Sequence, residues 1–292
     1  MVVKGRIITI ISNLFYVETD NNQTIECTSR GIFKNKEIKP VVGDIVKIDN
    51  ENNSILEVCD RTSYIKRPKI ANITKLIFVV SAKKPKPDLL MLDKQLAFAE
   101  YLNIEPVIVI NKIDLDDNVA EEISQKYSKL KYKVIKTTAK ELSEDNKKDI
   151  EGILKNNISV FSGNSGVGKS TLINSIFNEN LTKEGEVSHK NKKGKNTTTS
   201  VKLYKIEDKT YIADTPGFST FDIYEIEYRQ LYKYFKDIQK YADKCEYLDC
   251  SHIKEENCNI KEAVNLGKID KERYNNYIKI YEELKDREEH KW

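Results

Sequence analysis

The sequence predicts three consecutive regions: an all-β barrel, an α/β domain with a mostly parallel sheet, and a helical C-terminal region. Short β-branched or apolar runs separated by turn residues fill about the first 65 positions. From about residue 70, strand patterns alternate with helical patterns, which is typical of a parallel sheet. After about residue 220 the pattern is helical, charged and rich in tyrosine. We therefore expect domains over residues 1–67, 68–220 and 221–292.

Five short strands are predicted in the N-terminal region. They cover residues 5–11, 14–18, 24–27, 45–48 and 55–58, with Ser, Asn, Asp and Gly between them. Strands at this spacing fit a small barrel, and an OB-fold is one candidate. Cys27 and Cys59 fall in this pattern, and we expect both to be buried core thiols.

The α/β region is predicted to contain six strands and three helices. The strands cover residues 76–80, 106–110, 133–136, 158–162, 201–206 and 210–213, and the helices cover 88–102, 119–130 and 169–177. Asp88 is the expected N-cap of the first helix. In the C-terminal region, residues 224–241 and 261–284 are predicted to be helical.

Composition excludes several classes of protein. Of the 292 residues, 39% are hydrophobic and 33% are charged, which indicates a folded globular chain. The apolar runs are far too short to span a bilayer, and the N-terminus lacks a signal-peptide pattern. We expect a cytoplasmic monomer with no membrane partner, whose five cysteines are thiols or metal ligands.

Two stretches are locally basic. Residues 66–86 contain seven Lys or Arg and no acidic residue, and residues 183–205 contain seven Lys and two Glu. Such stretches can lie against a phosphate backbone, which favours an RNA partner. The alternative is an ordinary solvated, lysine-rich surface.

A phosphate-binding motif follows the predicted strand 158–162 and opens the next helix. It matches G-x-x-x-x-G-K-[ST] and consists of Gly163, Asn164, Ser165, Gly166, Val167, Gly168, Lys169 and Ser170. Thr171 follows it and is a further candidate for nucleotide binding. Glycines let backbone amides surround phosphates at a helix N-terminus. Lys169 would pair with the β- and γ-phosphates, and Ser170 would hold Mg²⁺. The alternative is a plain glycine-rich turn.

A guanine-reading motif precedes the phosphate loop instead of following it. Asn111-Lys112-Ile113-Asp114 comes directly after the predicted strand 106–110. A carboxylate at Asp114 can only accept hydrogen bonds, and guanine, unlike adenine, offers it two adjacent N–H donors. Thr138, Ala139 and Lys140 resemble the element that contacts the guanine carbonyl, although a loop with a helix cap is the alternative.

The metal side of the pocket is predicted downstream. Asp214-Thr215-Pro216-Gly217 matches D-x-x-G, with Asp214 on the Mg²⁺ side and the Gly217 amide at the γ-phosphate. The polar loop 182–200 contains Thr198 and Thr199, and we expect one of them to bind Mg²⁺ when the γ-phosphate is present. The loop would then be a switch that is ordered with GTP and loose with GDP. A merely flexible loop is the alternative. Phe218 occupies the place of a water-orienting Gln, which predicts slow intrinsic hydrolysis.

A cysteine–histidine cluster is predicted near the C-terminus. Its members give C-x4-C-x-H-x5-C within fourteen residues: Cys245, Cys250, His252 and Cys258. This is the ligand set of a closed structural zinc site, with a folding role and no position for catalytic water. The alternative is a set of incidental thiols.

With these motifs in this order, the chain resembles the circularly permuted GTPases of the ribosome small-subunit-dependent GTPase A family (RsgA). The resemblance covers essentially the whole chain. It implies an N-terminal OB-fold, a permuted α/β P-loop GTPase domain and a helical zinc-binding domain. It also implies late maturation of the small ribosomal subunit, with rRNA contact and ribosome-stimulated hydrolysis of GTP to GDP. One departure is Asn196, where the family commonly has a His before the threonine triplet.

Two rival functions remain at this level. One is a non-enzymatic RNA-binding assembly factor in which nucleotide only stabilises the fold. The other is an ATP-using P-loop enzyme. Lys169, Ser170 and Asp214 argue against the first rival, and Asp114 argues against the second.

Overall fold

The computed structural model of the protein describes residues 1–29, 39–177, 201–214, 223–247 and 249–290. These residues form two compact units. The first contains the described residues of 1–77, 139–162 and 169–214, and the second contains 78–138, 163–168 and the described residues from 223 to 290.

The described strands and helices alternate in chain order after an all-β beginning. The strands are β1 (Val2–Ile11), β2 (Leu14–Thr19), β3 (Thr24–Ser29), β4 (Ile45–Asp49), β5 (Ser54–Val58), β6 (Tyr64–Lys66), β7 (Lys69–Ala71), β8 (Lys75–Ser81), β9 (Glu105–Asn111), β10 (Lys133–Thr137), β11 (Ile158–Ser162), β12 (Lys202–Glu207) and β13 (Thr210–Asp214). The α-helices are α1 (Leu89–Tyr101), α2 (Asp117–Ser128), α3 (Glu144–Leu154), α4 (Lys169–Phe177), α5 (Lys236–Ala242), α6 (Asn259–Asn265) and α7 (Lys271–Glu289). None of the described helices combines the length and apolar character needed to cross a membrane.

The first unit begins with the predicted five-stranded barrel. Strand β1 pairs with both β2 and β4, β3 pairs in parallel with β5, and β4 pairs with β5. The resulting cyclic order, β1-β2-β3-β5-β4, fits the small OB-type barrel that the sequence predicts. Side chains that alternate along the strands fill its interior: Val17, Cys27, Val46, Ile48 and Ile55.

The two N-terminal cysteines differ in environment. Cys27 is fully buried in β3, as predicted, and burial raises the pKa of its thiol to about 11. The prediction for Cys59 is wrong: this residue is half-buried and follows the end of β5. Its amide still bonds the carbonyl of Ile45, but the strand ends at Val58, and a position beyond the strand is not fixed in the barrel interior by the alternation of side chains.

The rest of the first unit packs the barrel against three strands. Strand β13 pairs in parallel with β11 and antiparallel with β12, and Thr9 of β1 pairs with Lys202 of β12. The Arg6 guanidinium lies 5.6 Å from the centre of the Tyr211 ring. The β6–β7 hairpin and α3, which Ser143 caps, were absent from the sequence prediction.

The second unit contains the strands in the order β10-β9-β8. Strands β9 and β10 are parallel, as predicted. Helix α1 begins after Asp88, whose carboxylate accepts a hydrogen bond from the amide of Met91 over 2.9 Å. The predicted N-cap is therefore confirmed, and the helices and strands expected in this region agree with the structure within a few residues.

The C-terminal region is helical, as predicted, and each of the two helical segments contains a break. Residues 224–241 form a 3-10 helix (Tyr228–Tyr234) followed by α5, because Phe235 is extended. Residues 261–284 fall in α6 and α7, because Gly267 is left-handed with a φ of 68° and Asp270 caps a new helix. The prediction of a helical C-terminal region is therefore confirmed, and the structure adds a break within each segment.

A buried ion-pair network fixes α7 in the second unit. The Arg273 guanidinium donates to Asp93 of α1 and to both carboxylate oxygens of Asp237 in α5. Asn276 and Tyr127 donate to Asp93 over 2.7 and 2.9 Å. The residues Arg273 and Asp93 are 2% and 1% exposed, so the ion pair is almost fully buried. Such charges are tolerated because every one has a partner.

Candidate functional site

The phosphate loop has a backbone that only glycine can supply at two points. Gly163 has a φ of 145°, and a Cβ there would lie 2.2 Å from the carbonyl oxygen of Val79. Gly168 has a φ of 98°, and a Cβ there would lie 2.3 Å from Nδ2 of Asn111. The loop follows β11 and leads directly into α4, the strand–loop–helix context that the motif requires.

The base motif is bonded to the phosphate loop. Asn111, which is 1% exposed, donates from Nδ2 to the carbonyl of Val167 over 2.8 Å. The Lys112 ammonium donates to the carbonyl of Gly166 over 2.6 Å and to that of Lys84 over 2.5 Å. Asn111 at the end of β9 and Lys112 directly after it therefore hold the phosphate loop, although they precede it by about fifty positions.

Asp114 lies at the exposed end of the base motif. It sits in a short 3-10 helix, Ile113–Leu115, and Thr138 donates to its Oδ1 over 3.1 Å. The two meet because β9 and β10 run parallel in register, with Asn111 opposite Thr137. The carboxylate is thus oriented by one neighbour and accessible to a ligand.

Asp88 adds a contact that the sequence did not predict. Its Oδ2 accepts a hydrogen bond from Nδ2 of Asn164 in the phosphate loop over 3.3 Å, while Oδ1 caps α1. Within the second unit, one carboxylate therefore links the phosphate loop to helix α1. The cap pattern revealed Asp88, but nothing in the sequence indicated its second partner.

Other predicted residues lie in the first unit. Lys169 opens α4, and burial lowers the pKa of its ammonium, a cost that a neighbouring phosphate would offset. Ser170 and Thr171 are exposed in the first turn of this helix, and Asp214 ends β13. Ala139 is buried, and its carbonyl accepts from Ser175 of α4 over 2.6 Å, while Lys140 is exposed.

Several predicted switch residues cannot be placed. Thr198 with the loop 182–200, Asn196, Gly217 and Phe218 lie outside the residues that the structure describes. Their roles stay predictions from the sequence.

The cysteine–histidine cluster assembles as predicted. The ligand atoms of Cys245, Cys250, His252 and Cys258 all lie within 4.8 Å of one another. Nδ1 of His252 is 3.5 Å from Sγ of Cys245 and 3.7 Å from Sγ of Cys258, and these two sulfurs are 3.9 Å apart. A tetrahedral zinc ion with ordinary bond lengths separates its ligand atoms by about 3.5–3.8 Å. The four residues therefore fit a closed zinc site.

Cys250, His252 and Cys258 are buried, and Cys245 is half-buried. Burial raises the pKa of the Cys250 and Cys258 thiols and lowers that of His252. A neutral histidine is ready to ligate, whereas the thiols must release protons to the solvent when a cation binds.

Comparisons with known proteins agree over the whole chain. A family model described as RsgA GTPase matches residues 58–224, and one described as RsgA N-terminal domain matches residues 4–55. The small ribosomal subunit biogenesis GTPase RsgA of Ruminiclostridium cellulolyticum is 39% identical over 288 residues, 97% of this chain and 94% of the relative. The protein of that name from Clostridium beijerinckii is 40% identical over 294 residues, 99% of this chain and 100% of the relative.

Solved structures show the same architecture. The crystal structure of YjeQ from Thermotoga maritima has a TM-score of 0.83 and 34% identity, covering 97% of this chain and 99% of that one. The crystal structure of YloQ, a circularly permuted GTPase, has a TM-score of 0.80 and 31% identity, covering 98% and 96%. Together with the permuted order of the base motif and the phosphate loop, these matches show that the chain belongs to the RsgA GTPase family.

Proposed function

We propose that this protein binds GTP with Mg²⁺ and hydrolyses it to GDP and phosphate during late maturation of the small ribosomal subunit. The hydrogen bond from Asn111 to the Val167 carbonyl carries the nucleotide part of this proposal, because it joins a guanine-reading motif to a phosphate loop. The names of the relatives, small ribosomal subunit biogenesis GTPases, support the biological part.

Each motif residue has a chemical role in this proposal. Backbone amides of residues 163–168 surround the phosphates, and Lys169 neutralises charge that develops on them. Ser170 and Thr198 would hold Mg²⁺, Asp214 would lie on the metal side, and the Gly217 amide would contact the γ-phosphate. When bound, Mg²⁺ would neutralise negative charge on the phosphates.

Guanine selection is assigned to the base motif. Asp114 accepts hydrogen bonds from the ring N–H and the exocyclic amine of guanine, and Thr138 orients its carboxylate. Ala139 and Lys140 follow Thr138 and contact the guanine carbonyl. Asn111 and Lys112 hold the phosphate loop against the base motif. Adenine would leave the carboxylate without donors, so it is discriminated against.

The ion in the cysteine–histidine cluster is proposed to be one structural Zn²⁺. Three thiolates and one imidazole suit zinc, and four protein ligands leave no open position for catalytic water.

We also propose the domain boundaries 1–67, 68–220 and 221–292, a monomeric cytoplasmic protein, and direct contact with rRNA. The basic stretches 66–86 and 183–205 support the RNA contact.

The experiment is GTP turnover by the purified protein with and without small ribosomal subunits. Turnover is expected to be slow alone, because Phe218 replaces the water-orienting Gln, and to rise when subunits are added. Lys169→Ala should abolish both rates. An unstimulated rate under every condition would favour the rival function, an RNA-binding assembly factor with a structural nucleotide.

A further inference from the structure

The loop that carries His252 has an unfavourable backbone. It connects Cys250 to Cys258 outside any helix or strand, and His252 itself is left-handed with a φ of 64°. A non-glycine residue holds this conformation only when its surroundings impose it. The backbone groups of the loop also need partners, because no regular structure pairs them.

Glu255 supplies those partners on the amide side. Its Oε1 accepts from the amide of Ser251 over 2.8 Å and from the hydroxyl of the same residue over 2.5 Å. Its Oε2 accepts from the amides of Ile253 and Lys254 over 3.0 and 3.2 Å. A carboxylate has about four acceptor sites, so this one is saturated by the loop.

Two tyrosines hold the same loop on its carbonyl side. Tyr274 donates to the carbonyl of His252 over 2.7 Å, and Tyr277 donates to that of Ser251 over 3.0 Å. Both belong to α7, which the buried Arg273 network fixes in the second unit. The loop is therefore bonded on both sides of its backbone by residues that are not metal ligands.

We infer that Glu255 is a positioning residue of the metal site: it holds residues 251–254 in the shape that presents His252 to the three cysteines, before a cation binds. The inference rests on the proposed metal site and adds the residue that pre-forms it. The carboxylate acts through three backbone amides and the Ser251 hydroxyl, and it reduces the ordering that metal binding would otherwise require.

The protonation state of Glu255 agrees with this role. Burial alone raises the pKa of a carboxyl group, but here the hydrogen bonds from Ser251 and the loop amides outweigh burial and lower it to about 2. The group is therefore an anion that only accepts, as four converging donors require.

Glu255→Gln tests the inference with little change of shape. Glutamine keeps one acceptor oxygen and places an NH₂ group against two of the loop's donors. Zinc affinity is measured by competition with a chromophoric chelator, and the absorption spectrum of the Co²⁺-loaded protein reports ligand geometry. The variant is expected to bind zinc about 10- to 100-fold more weakly. Glu256→Gln, at an exposed neighbouring carboxylate, is the control and should match the parent protein.

Two further measurements distinguish a direct effect on zinc binding from misfolding of the variant. Tyr274→Phe removes only the hydroxyl that bonds the His252 carbonyl and should weaken zinc binding in the same direction. Hydrogen exchange of the zinc-free protein should show faster exchange across residues 251–254 in Glu255→Gln than in the parent. Equal zinc affinity of parent and Glu255→Gln, with equal exchange, would overturn the inference. A parent protein that binds no zinc would overturn the metal site as well.

Discussion

The side chain of Asn111 donates a hydrogen bond to the carbonyl oxygen of Val167 over 2.8 Å, although 56 residues separate the two positions. In this chain the base motif precedes the phosphate loop, yet the two loops still meet. This is possible because the two motifs lie at the carboxyl ends of β9 and β11. Reordering the chain therefore changes the connections between strands and keeps the site residues together.

Removal of that hydrogen bond should weaken nucleotide binding. Asn111→Ala leaves the carbonyl of Val167 without its donor, a loss of about 1–3 kcal/mol for a buried group. We expect GDP to bind about 10- to 100-fold more weakly, as measured by calorimetry. Asn118→Ala, at an exposed position of α2, is the control and should leave affinity unchanged. Unaltered GDP affinity in Asn111→Ala would show that the contact does not shape the pocket.

Two glycines should respond in opposite ways to alanine. In Gly168→Ala the new Cβ would meet Nδ2 of Asn111 at a φ of 98°, so we expect GDP affinity to fall at least about 10-fold. Gly152 lies in α3 with nothing within 4 Å of a Cβ, so Gly152→Ala should raise the free energy of unfolding by about 0.5–1 kcal/mol. Denaturant unfolding and calorimetry of both variants check the pair. Normal GDP binding by Gly168→Ala would contradict the described loop.

Loss of the buried guanidinium should be costly. Arg273→Ala leaves the carboxylates of Asp93 and Asp237 buried without their cation, so we expect destabilisation by about 3–5 kcal/mol. The measurement is urea unfolding, compared with Lys271→Ala at an exposed position of the same helix, which should change stability by less than about 0.5 kcal/mol. Similar stabilities for the two variants would mean that the network contributes little.

Removal of the metal should destabilise the protein, and only three of the five cysteines should be needed to bind the ion. A chelator is expected to release one zinc ion per chain and to lower the melting temperature, because the ion joins residues 245–258 into one closed site. Cys258→Ser should bind zinc far more weakly, whereas Cys59→Ser should retain a full equivalent, since Cys59 lies outside the cluster. Elemental analysis of both variants settles the point, and zinc loss from Cys59→Ser would count against the assigned ligands.

Much of the fold could be predicted from local signals. Strand β4 of the barrel alternates buried and more accessible side chains, Asp88 is a strong helix cap, and the phosphate loop requires a strand before it and a helix after it. The metal cluster was also visible, because three cysteines and a histidine within fourteen residues are uncommon by chance.

What the sequence did not predict depends on tertiary contacts. The breaks at Phe235 and Gly267 lie inside the segments 224–241 and 261–284, whose helical pattern did not reveal them. Helix α3 was missed because its central residues are mostly polar, with Ile150 and Leu154 as its buried contacts. The second partner of Asp88 and the four donors of Glu255 come from packing, which leaves no local pattern.

The central claim is that this pocket selects guanine, and calorimetric titration with GDP and with ADP tests it most directly. We expect GDP to bind at least about 1,000-fold more tightly than ADP, because adenine leaves the Asp114 carboxylate without its two donors. Asp114→Asn should lose most of this preference, and Asp117→Asn, an exposed carboxylate of α2, should keep it. Equal binding of GDP and ADP by the parent protein, or binding of neither, would contradict the account.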